Sequence, residues 1–344
     1  MGKSKATLAE VSKLAGVSSA TASRVINNTG PVSEDARMRI EAAMNTLGYE
    51  PRKSPAARDT EGTIAVLAGD LLNPYFSEVV RGIQEEVDNY EMILTLYSLT
   101  DHPRRQRLLI QKLSRQSLDG LIIMGTNPFP ALLEWQQKVQ IPLVLINRAL
   151  TLPFVHCISV DFENAMYRAT QHLLSLKHER IGYISAFQST EIAISRKRGI
   201  ELALAEAGFT LRPEYCASVP QGTEVDGGYQ AMKTLLNHPP CERPTAVLAF
   251  NDVTAIGALH AARAHNVRVP QDLSIIGVDD IFAAVYSFPP LTTIGQPKFR
   301  MGTLAVQRIR AMNQEGFPME NHFTMLESPL IVRESTGPAP VNQQ

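Results

Sequence analysis

The chain has 344 residues, 44% of them hydrophobic and 19% charged, with a formal net charge of −1. That length exceeds what one hydrophobic core usually supports, so two or three domains are expected, and the composition excludes disordered and collagen-like classes. No stretch approaches the ~20 apolar residues of a membrane span, and Met1 to Val11 carries lysines without an apolar signal-peptide core, so a cytoplasmic protein with no membrane partner is expected.

Residues 1 to about 60 read as three short helices. Apolar positions recur at helical spacing at Leu8, Val11 and Leu14, then Val25, then Ile40, Ala43, Met44 and Leu47. Thr7 with Glu10 forms a capping box, Ser18 can cap the second helix, and Ser33 before Glu34 and Asp35 opens the third. Between the first two, Gly16 supplies the backbone freedom of a tight turn and Val17 can pack beneath it, a helix-turn-helix pattern. Nine Lys and Arg stand against six Asp and Glu in these sixty residues, a net +3 that leaves −4 for the remainder. This asymmetry fits a polyanion partner; a solvated surface is the plainer alternative.

Pro51 to Gly62 is polar and proline-bearing, as a linker is, and Ser54-Pro55 could start a brief helix against an external surface. From Thr63 onward, short aliphatic runs alternate with amphipathic helical stretches. Strands are expected at 64–68, 93–97, 121–124, 143–146, 158–161, 181–185, 246–250 and 274–278. Continuous apolar strands between helices imply parallel sheets covered on both faces, and eight of them, split near Pro153, suit two doubly wound parallel-sheet lobes. A last helix lies near 301–312 and an apolar run at 330–332 follows it. The domain plan is an all-α head over 1–50, a hinge linker over 51–62, a two-lobed α/β body over 63–335 and a frayed tail over 336–344.

Such a body binds ligands in the crevice at the carboxyl ends of its strands. Asp70, Asn73, Tyr75 and Phe76 follow the first strand, Asn147 and Arg148 the fourth, Asn251 and Asp252 the seventh, and Asp279 the eighth; Thr190, Thr223 and Gln296 complete the candidate set. Aromatic faces beside carboxylate, amide and guanidinium groups match a polyhydroxylated ring, so a sugar or glycoside is favoured. Plainer readings stand alongside: Phe76 as core, Asp252 or Asp280 as a helix cap, Arg148 as a surface ion-pair partner. Cys157, Cys216 and Cys241 are far apart, without zinc or redox spacing, and read as structural thiols. There is no G-x-G-x-x-G after a strand, P-loop, G-x-S-x-G or H-E-x-x-H, and His178 sits in a polar turn that reads as solvated, so no enzyme activity, metal or cofactor is expected.

The series Thr7-x3-Val11-x3-Ala15-Gly16-Val17-Ser18-x2-Thr21-x-Ser23-Arg24-Val25-x-Asn27 resembles the lactose/galactose repressor (LacI/GalR) family. The likeness continues through Gly48-Tyr49-x-Pro51, Asn73-Pro74-Tyr75-Phe76, Ile181-Gly182-Tyr183-Ile184, Asn251-Asp252, Gly277-Val278-Asp279-Asp280 and Pro289-Pro290-Leu291-Thr292-Thr293-Ile294. It implies a periplasmic-binding-protein-like body and a homodimeric transcriptional regulator whose helix from Ser18 enters the major groove of a roughly palindromic double-stranded operator. DNA contacts implied are Thr7, Ser18, Ser19, Ala20, Thr21, Ser23, Arg24, Asn27, Tyr49 and Arg52, with Ser19 and Ala20 choosing sequence and Arg24 and Asn27 reaching phosphate or base edges. Ser18 and Thr21 would cap and pack the helix as well.

In the hinge the chain departs from the family. Pro55 takes an alanine position and Arg58 stands where a wedging leucine is expected, leaving Ala56, Ala57 or Arg58 to approach the minor groove, with Arg58 as a plain solvated charge the alternative. Arg196 stands in the place of the family's effector-gripping arginine, while Ile192 and Thr223 replace a polar residue and an aromatic ring, so no known effector transfers. The resemblance implies repression of a carbohydrate operon relieved by a sugar or glycoside. The alternatives are a nucleoside- or purine-responsive regulator, or a solute-binding transport protein, which would need a secretion signal and no basic head. The tail lacks leucine heptads, so no tetramerising coiled coil is expected.

Overall fold

Helical spacing at the start of the chain builds the elements it implies. The computed structural model describes residues 8–18, 21–22, 25, 32–47, 62–69, 71–99, 102–125, 128–148, 150–186, 191–219, 225–315 and 322–340. By its contacts the chain divides into two units, Met1–Thr60 and Glu61–Gln344. In the first, α1 (Leu8–Ala15) and α2 (Glu34–Leu47) share a core of Val11, Ala15, Ala22, Val25, Ile40 and Ala43, with Val17 packed against it. Gly16 closes α1 at φ +65°, a left-handed conformation that costs an L side chain energy. Ser18 Oγ then accepts from Thr21 N at 3.0 Å and lies 2.8 Å from Thr21 Oγ1, the cap of a second helical stretch. Leu14, expected in the stripe, is 52% exposed because the buried line runs through Val11 and Ala15, one helical turn apart.

The second unit is α/β throughout. Its first sheet holds β1 (Thr63–Ala68), β2 (Ile93–Ser98), β3 (Gly120–Met124), β4 (Leu143–Ile146) and β5 (Val155–Val160), with α3 (Pro74–Asn89), α4 (Pro103–Leu113) and α5 (Pro130–Val139) between them. After β5 come α6 (Phe162–Ser175), β6 (Ile181–Ser185), α7 (Glu191–Glu206), β7 (Cys216–Ser218), α8 (Val225–Leu236), β8 (Ala246–Ala249), α9 (Asp252–Ala264), β9 (Ser274–Asp279), α10 (Phe282–Tyr286) and β10 (Thr292–Gly295). The chain ends through α11 (Lys298–Glu315), β11 (Phe323–Leu326) and β12 (Leu330–Ile331). Strand orders are β11-β5-β4-β3-β1-β2 and β12-β10-β9-β8-β6-β7. All pairs are parallel except β10 with β12. The apolar strands are covered on both faces: Ile64 and Val66 of β1 join one core, Ala65 and Leu67 another.

Three expectations are corrected. The split near Pro153 is wrong: β5 pairs with β4, Leu145 opposite Cys157, and its full burial is satisfied only inside the first sheet. The chain then crosses between lobes three times, after β5, after β10 and after β11, since β11 pairs with β5 while β12 pairs with β10. The frayed tail is also wrong as far as Pro340. Gly337 N donates to Ser274 Oγ at 3.1 Å, Ala339 N donates to Leu176 O at 2.8 Å, and Ser335 is fully buried. Residues 341–344 lie outside the described residues. Finally, His178 is not solvated. It is fully buried, with Nδ1 3.0 Å from Thr245 Oγ1 and Nε2 3.0 Å from both Ser274 Oγ and Gly337 O, because the tail folds over it. Among the described residues no helix is long and apolar enough to cross a membrane.

Candidate functional site: the crevice between the lobes

The carboxyl ends of the strands converge on a cavity of about 130 Å³. On the first lobe, Asn73 caps α3, its Oδ1 accepting from Tyr75 N at 2.9 Å, with Pro74 at the first helical position. That start presents Tyr75 and Phe76 edge to face, ring centroids 5.1 Å apart. Gly125 follows β3 at φ +79°, and a Cβ there would stand 2.4 Å from Phe76 Cζ, so only glycine lets the ring in. Asn147 follows β4 at φ +55°, a conformation asparagine tolerates. Its Nδ2 donates to Tyr75 Oη and to Gln296 Oε1, both at 2.8 Å. Beside it Arg148 is half-buried, Nη1 donating to Asn147 O at 2.7 Å.

The second lobe supplies the opposite wall. Asn251, buried, caps α9 through Thr254 N at 2.9 Å. Asp279 ends β9 and accepts from Gln296 Nε2 at 2.6 Å and from the Asn73 side chain, so one carboxylate of the second lobe is held by an amide of the first and one of a crossover. Lys298 Nζ donates to the carbonyl oxygens of Asp279 and Asp280, each at 2.6 Å. Arg196, on α7, lies between the rings of Phe162 and Phe250, 4.2 Å from each centroid, and donates to Phe250 O. Past Arg148 the cavity opens into a second recess of about 200 Å³ toward Asp161, Glu191 and Ser195.

Burial governs the electrostatics. It pushes the Asp279 carboxyl up to about 6, with Arg196 and then Lys298 pulling the other way. Burial lowers the Arg196 guanidinium, opposed first by Asp279; burial and then the neighbouring Arg196 charge lower Arg148. The Tyr75 hydroxyl is pushed far up by burial, so it stays a neutral hydrogen-bonding group.

Nine sequence candidates, Asn73, Tyr75, Phe76, Asn147, Arg148, Arg196, Asn251, Asp279 and Gln296, line this one cavity. Phe76 belongs to the hydrophobic core as well. Asp70, Thr190 and Thr223 lie outside the described residues, as do Thr7, Ser19, Ala20, Ser23, Arg24, Asn27, Tyr49, Arg52, Ala56, Ala57 and Arg58. Asp252 does not line the cavity and does not cap its helix, which Asn251 does. Its buried carboxylate accepts from Thr293 Oγ1 at 2.5 Å and Ile281 N at 2.9 Å, tying α9 to the ends of β9 and β10, and burial, then the charge of Asp279, raises its pKa well above the ordinary carboxylate range. Asp280 pairs with Arg333 at 2.5 Å. Sequence reasoning missed Phe162 and Phe250, although both stand just past strand ends, where the crevice rule points.

Residues 7–52 match the family of bacterial regulatory proteins, lacI family, and residues 170–336 match the periplasmic binding protein-like domain. The chain is 33% identical over 341 residues to the HTH-type transcriptional repressor CytR of Escherichia coli (strain K12), covering 97% of each. It is similar to the transcriptional regulator CelR in its cellobiose complex, with 28% identity and a TM-score of 0.73 over 96% of this chain and 99% of that one. The Lac repressor dimer bound to operator and the anti-inducer ONPF is similar at 25% identity, with a TM-score of 0.71 over 97% of this chain and 100% of that one.

Proposed function

We propose, from the premise that this chain belongs to the lacI family of bacterial regulatory proteins and is a DNA-binding transcriptional regulator rather than an enzyme, that it represses a carbohydrate operon until a small polyhydroxylated effector fills the crevice. The observation that supports an effector there is the convergence of buried Asn73, Asn147, Asn251, Asp279 and Gln296 with an arginine held between two rings. Amides donate and accept and the carboxylate accepts around a hydroxylated ligand, and the phenyl edges exclude water from it. CelR with cellobiose supports a sugar as the class.

Asp279 already bonds across the crevice to Asn73 and Gln296, so a ligand entering there exchanges those bonds for its own and shifts one lobe against the other. Such coupling between a ligand site and a DNA site is typically ~1–3 kcal/mol. The protein works as a cytoplasmic homodimer on a roughly palindromic operator, a reading supported by the operator-bound Lac repressor dimer. Residues 1–50 form the DNA-binding head, 51–62 the hinge, where Ala56, Ala57 and Arg58 meet the minor groove, and 63–340 the effector-binding and dimerising body, whose end is the strap over His178. Ser19 and Ala20 choose sequence; Thr7, Ser18, Thr21, Ser23, Arg24, Asn27, Tyr49 and Arg52 secure the head to the duplex; Asp70, Thr190 and Thr223 join the effector site.

The test is a thermal-shift screen of sugars, glycosides and nucleosides on the full chain, followed by operator binding with each hit. A sugar that raises the melting temperature and weakens operator binding is expected. A response to nucleosides alone would replace the sugar reading, and failure to bind any duplex from upstream of its own gene would end the regulator reading.

A further inference from the structure

Two guanidinium groups face one cavity, and neither is paired within salt-bridge distance among the described residues, Asp279 opposing the Arg196 charge only at longer range. Arg196 is 3% exposed, and Arg196 and Arg148 each carry a buried Nε with no hydrogen-bond partner. Among the described residues neither forms a salt bridge. The rings of Phe162 and Phe250 and one carbonyl oxygen hold Arg196, and the carbonyl of Asn147 holds Arg148.

The surrounding acids are otherwise engaged. Asp279 takes hydrogen bonds from Gln296 and Asn73, and Asp252 from Thr293 and Ile281. Asp280 pairs with Arg333, Glu163 lies 3.5 Å from Arg198, and Asp161 caps α6. Lys298 is 3.7 Å from Glu78, so that pair balances itself. Glu191 stands exposed at the start of α7, at the rim beyond Arg148. A buried charge is costly unless it is paired, and two like charges at one cavity add to that cost.

We propose that the effector is a hydroxylated monocarboxylate, a sugar acid rather than a neutral sugar, with its carboxylate set between Arg148 and Arg196. The proposal rests on the effector reading above and names its chemical class. A carboxylate matches the planar guanidinium fork that Arg148 and Arg196 each bring to the cavity lining. Net charge selects among anions: Arg148, Arg196 and an ionised Asp279 sum to +1, which one carboxylate neutralises and a phosphate dianion overshoots. The amides of Asn73, Asn147 and Asn251 remain for the ligand's hydroxyls.

The test uses the full-length protein in two arms. Formate is titrated against chloride at constant ionic strength while the melting temperature is followed, which probes the anion position independently of sugar stereochemistry. Calorimetry then compares gluconate, glucuronate and galacturonate with glucose, galactose and glucose 6-phosphate. Formate is expected to stabilise wild type more than chloride does and to lose that effect in Arg148→Gln. Each acid that binds should do so about tenfold or more tightly than its neutral parent, the scale of a charge-assisted hydrogen bond, with the ratio falling toward one in Arg148→Gln and Arg196→Gln.

Arg148→Gln guards against a folding failure in the tightly packed Arg196 variant. No stabilisation by formate over chloride, tighter binding of a neutral sugar than of its acid, or preference for glucose 6-phosphate each overturns the proposal. Operator binding by ligand-free wild type, measured in parallel, separates the two readings: intact DNA binding with no carboxylate response removes the anionic effector and leaves the regulator standing.

Discussion

At Arg196 a guanidinium is clamped between two phenyl rings, and the planarity of that slot is the constraint. Lysine keeps the charge but is a point donor on a flexible stem, so Arg196→Lys is expected to lower stability by about 1–3 kcal/mol in urea denaturation and to abolish the ligand-induced melting shift. An unchanged shift would remove Arg196 from the site. Gly125→Ala tests the opposite wall: a Cβ 2.4 Å from the Phe76 ring, on a backbone at φ +79°, should cost about 1–3 kcal/mol and weaken ligand binding. At this scale Asn73 was legible as a group past a strand end, while its capping of α3 emerged only from the fold. Asp252 was misread because its partners, Thr293 and Ile281, are 41 and 29 residues away in sequence.

Among the elements, the C-terminal strap is the most informative. Ser335 Oγ accepts from Thr292 N at 2.8 Å and donates to Ile275 O at 2.6 Å, Thr336 Oγ1 lies 3.1 Å from His172 Nε2, and Gly337 closes over His178. Deleting residues 335–344 is therefore expected to cost about 2 kcal/mol or more in urea denaturation, since several buried hydrogen bonds go together; no change would make the strap ornamental. Burial lowers the pKa of His178 below its ordinary 6.5, so the unfolded chain binds the proton more readily. The stability this group contributes is complete above pH 6.5 and is lost as pH falls through its folded pKa. Asp279, raised to about 6, works in the other direction: its contribution is present below the ordinary carboxylate pKa and lost as pH rises through about 6. The observable is thus the difference between wild type and His178→Gln at pH 5, 6 and 7, with wild type losing more stability toward pH 5. Long apolar strands such as β1 and β9 were legible because burial on both faces demands an unbroken run. The short β7, β10, β11 and β12 were not, because pairing with a neighbour rather than their own composition makes them strands.

For the whole molecule, operator affinity should fall steeply with salt, log K dropping by ~0.9 for each phosphate neutralised, as measured by fluorescence anisotropy between 50 and 200 mM salt. A flat response would contradict a basic head on a polyanion. Phe282, Tyr286 and Phe288 are 70%, 71% and 87% exposed on the second lobe, a patch whose covering by a second copy fits the proposed homodimer. Phe288→Asp is accordingly expected to raise the dimer dissociation constant about tenfold or more in sedimentation velocity, as loss of a buried aromatic anchor does; an unaltered constant would place the interface elsewhere. Local signals were enough for the helical head, the parallel α/β body and seven crevice residues past strand ends, since capping, hydrophobic period and strand ends are all written in contiguous stretches of chain, whereas Arg196 was named through the family resemblance. Where the lobes divide, which strands belong to which sheet, how His178 comes to be buried and why two arginines at one cavity are left without a salt bridge were decided only in three dimensions. Each depends on segments tens to hundreds of residues apart meeting in the fold, and no local pattern encodes such a meeting.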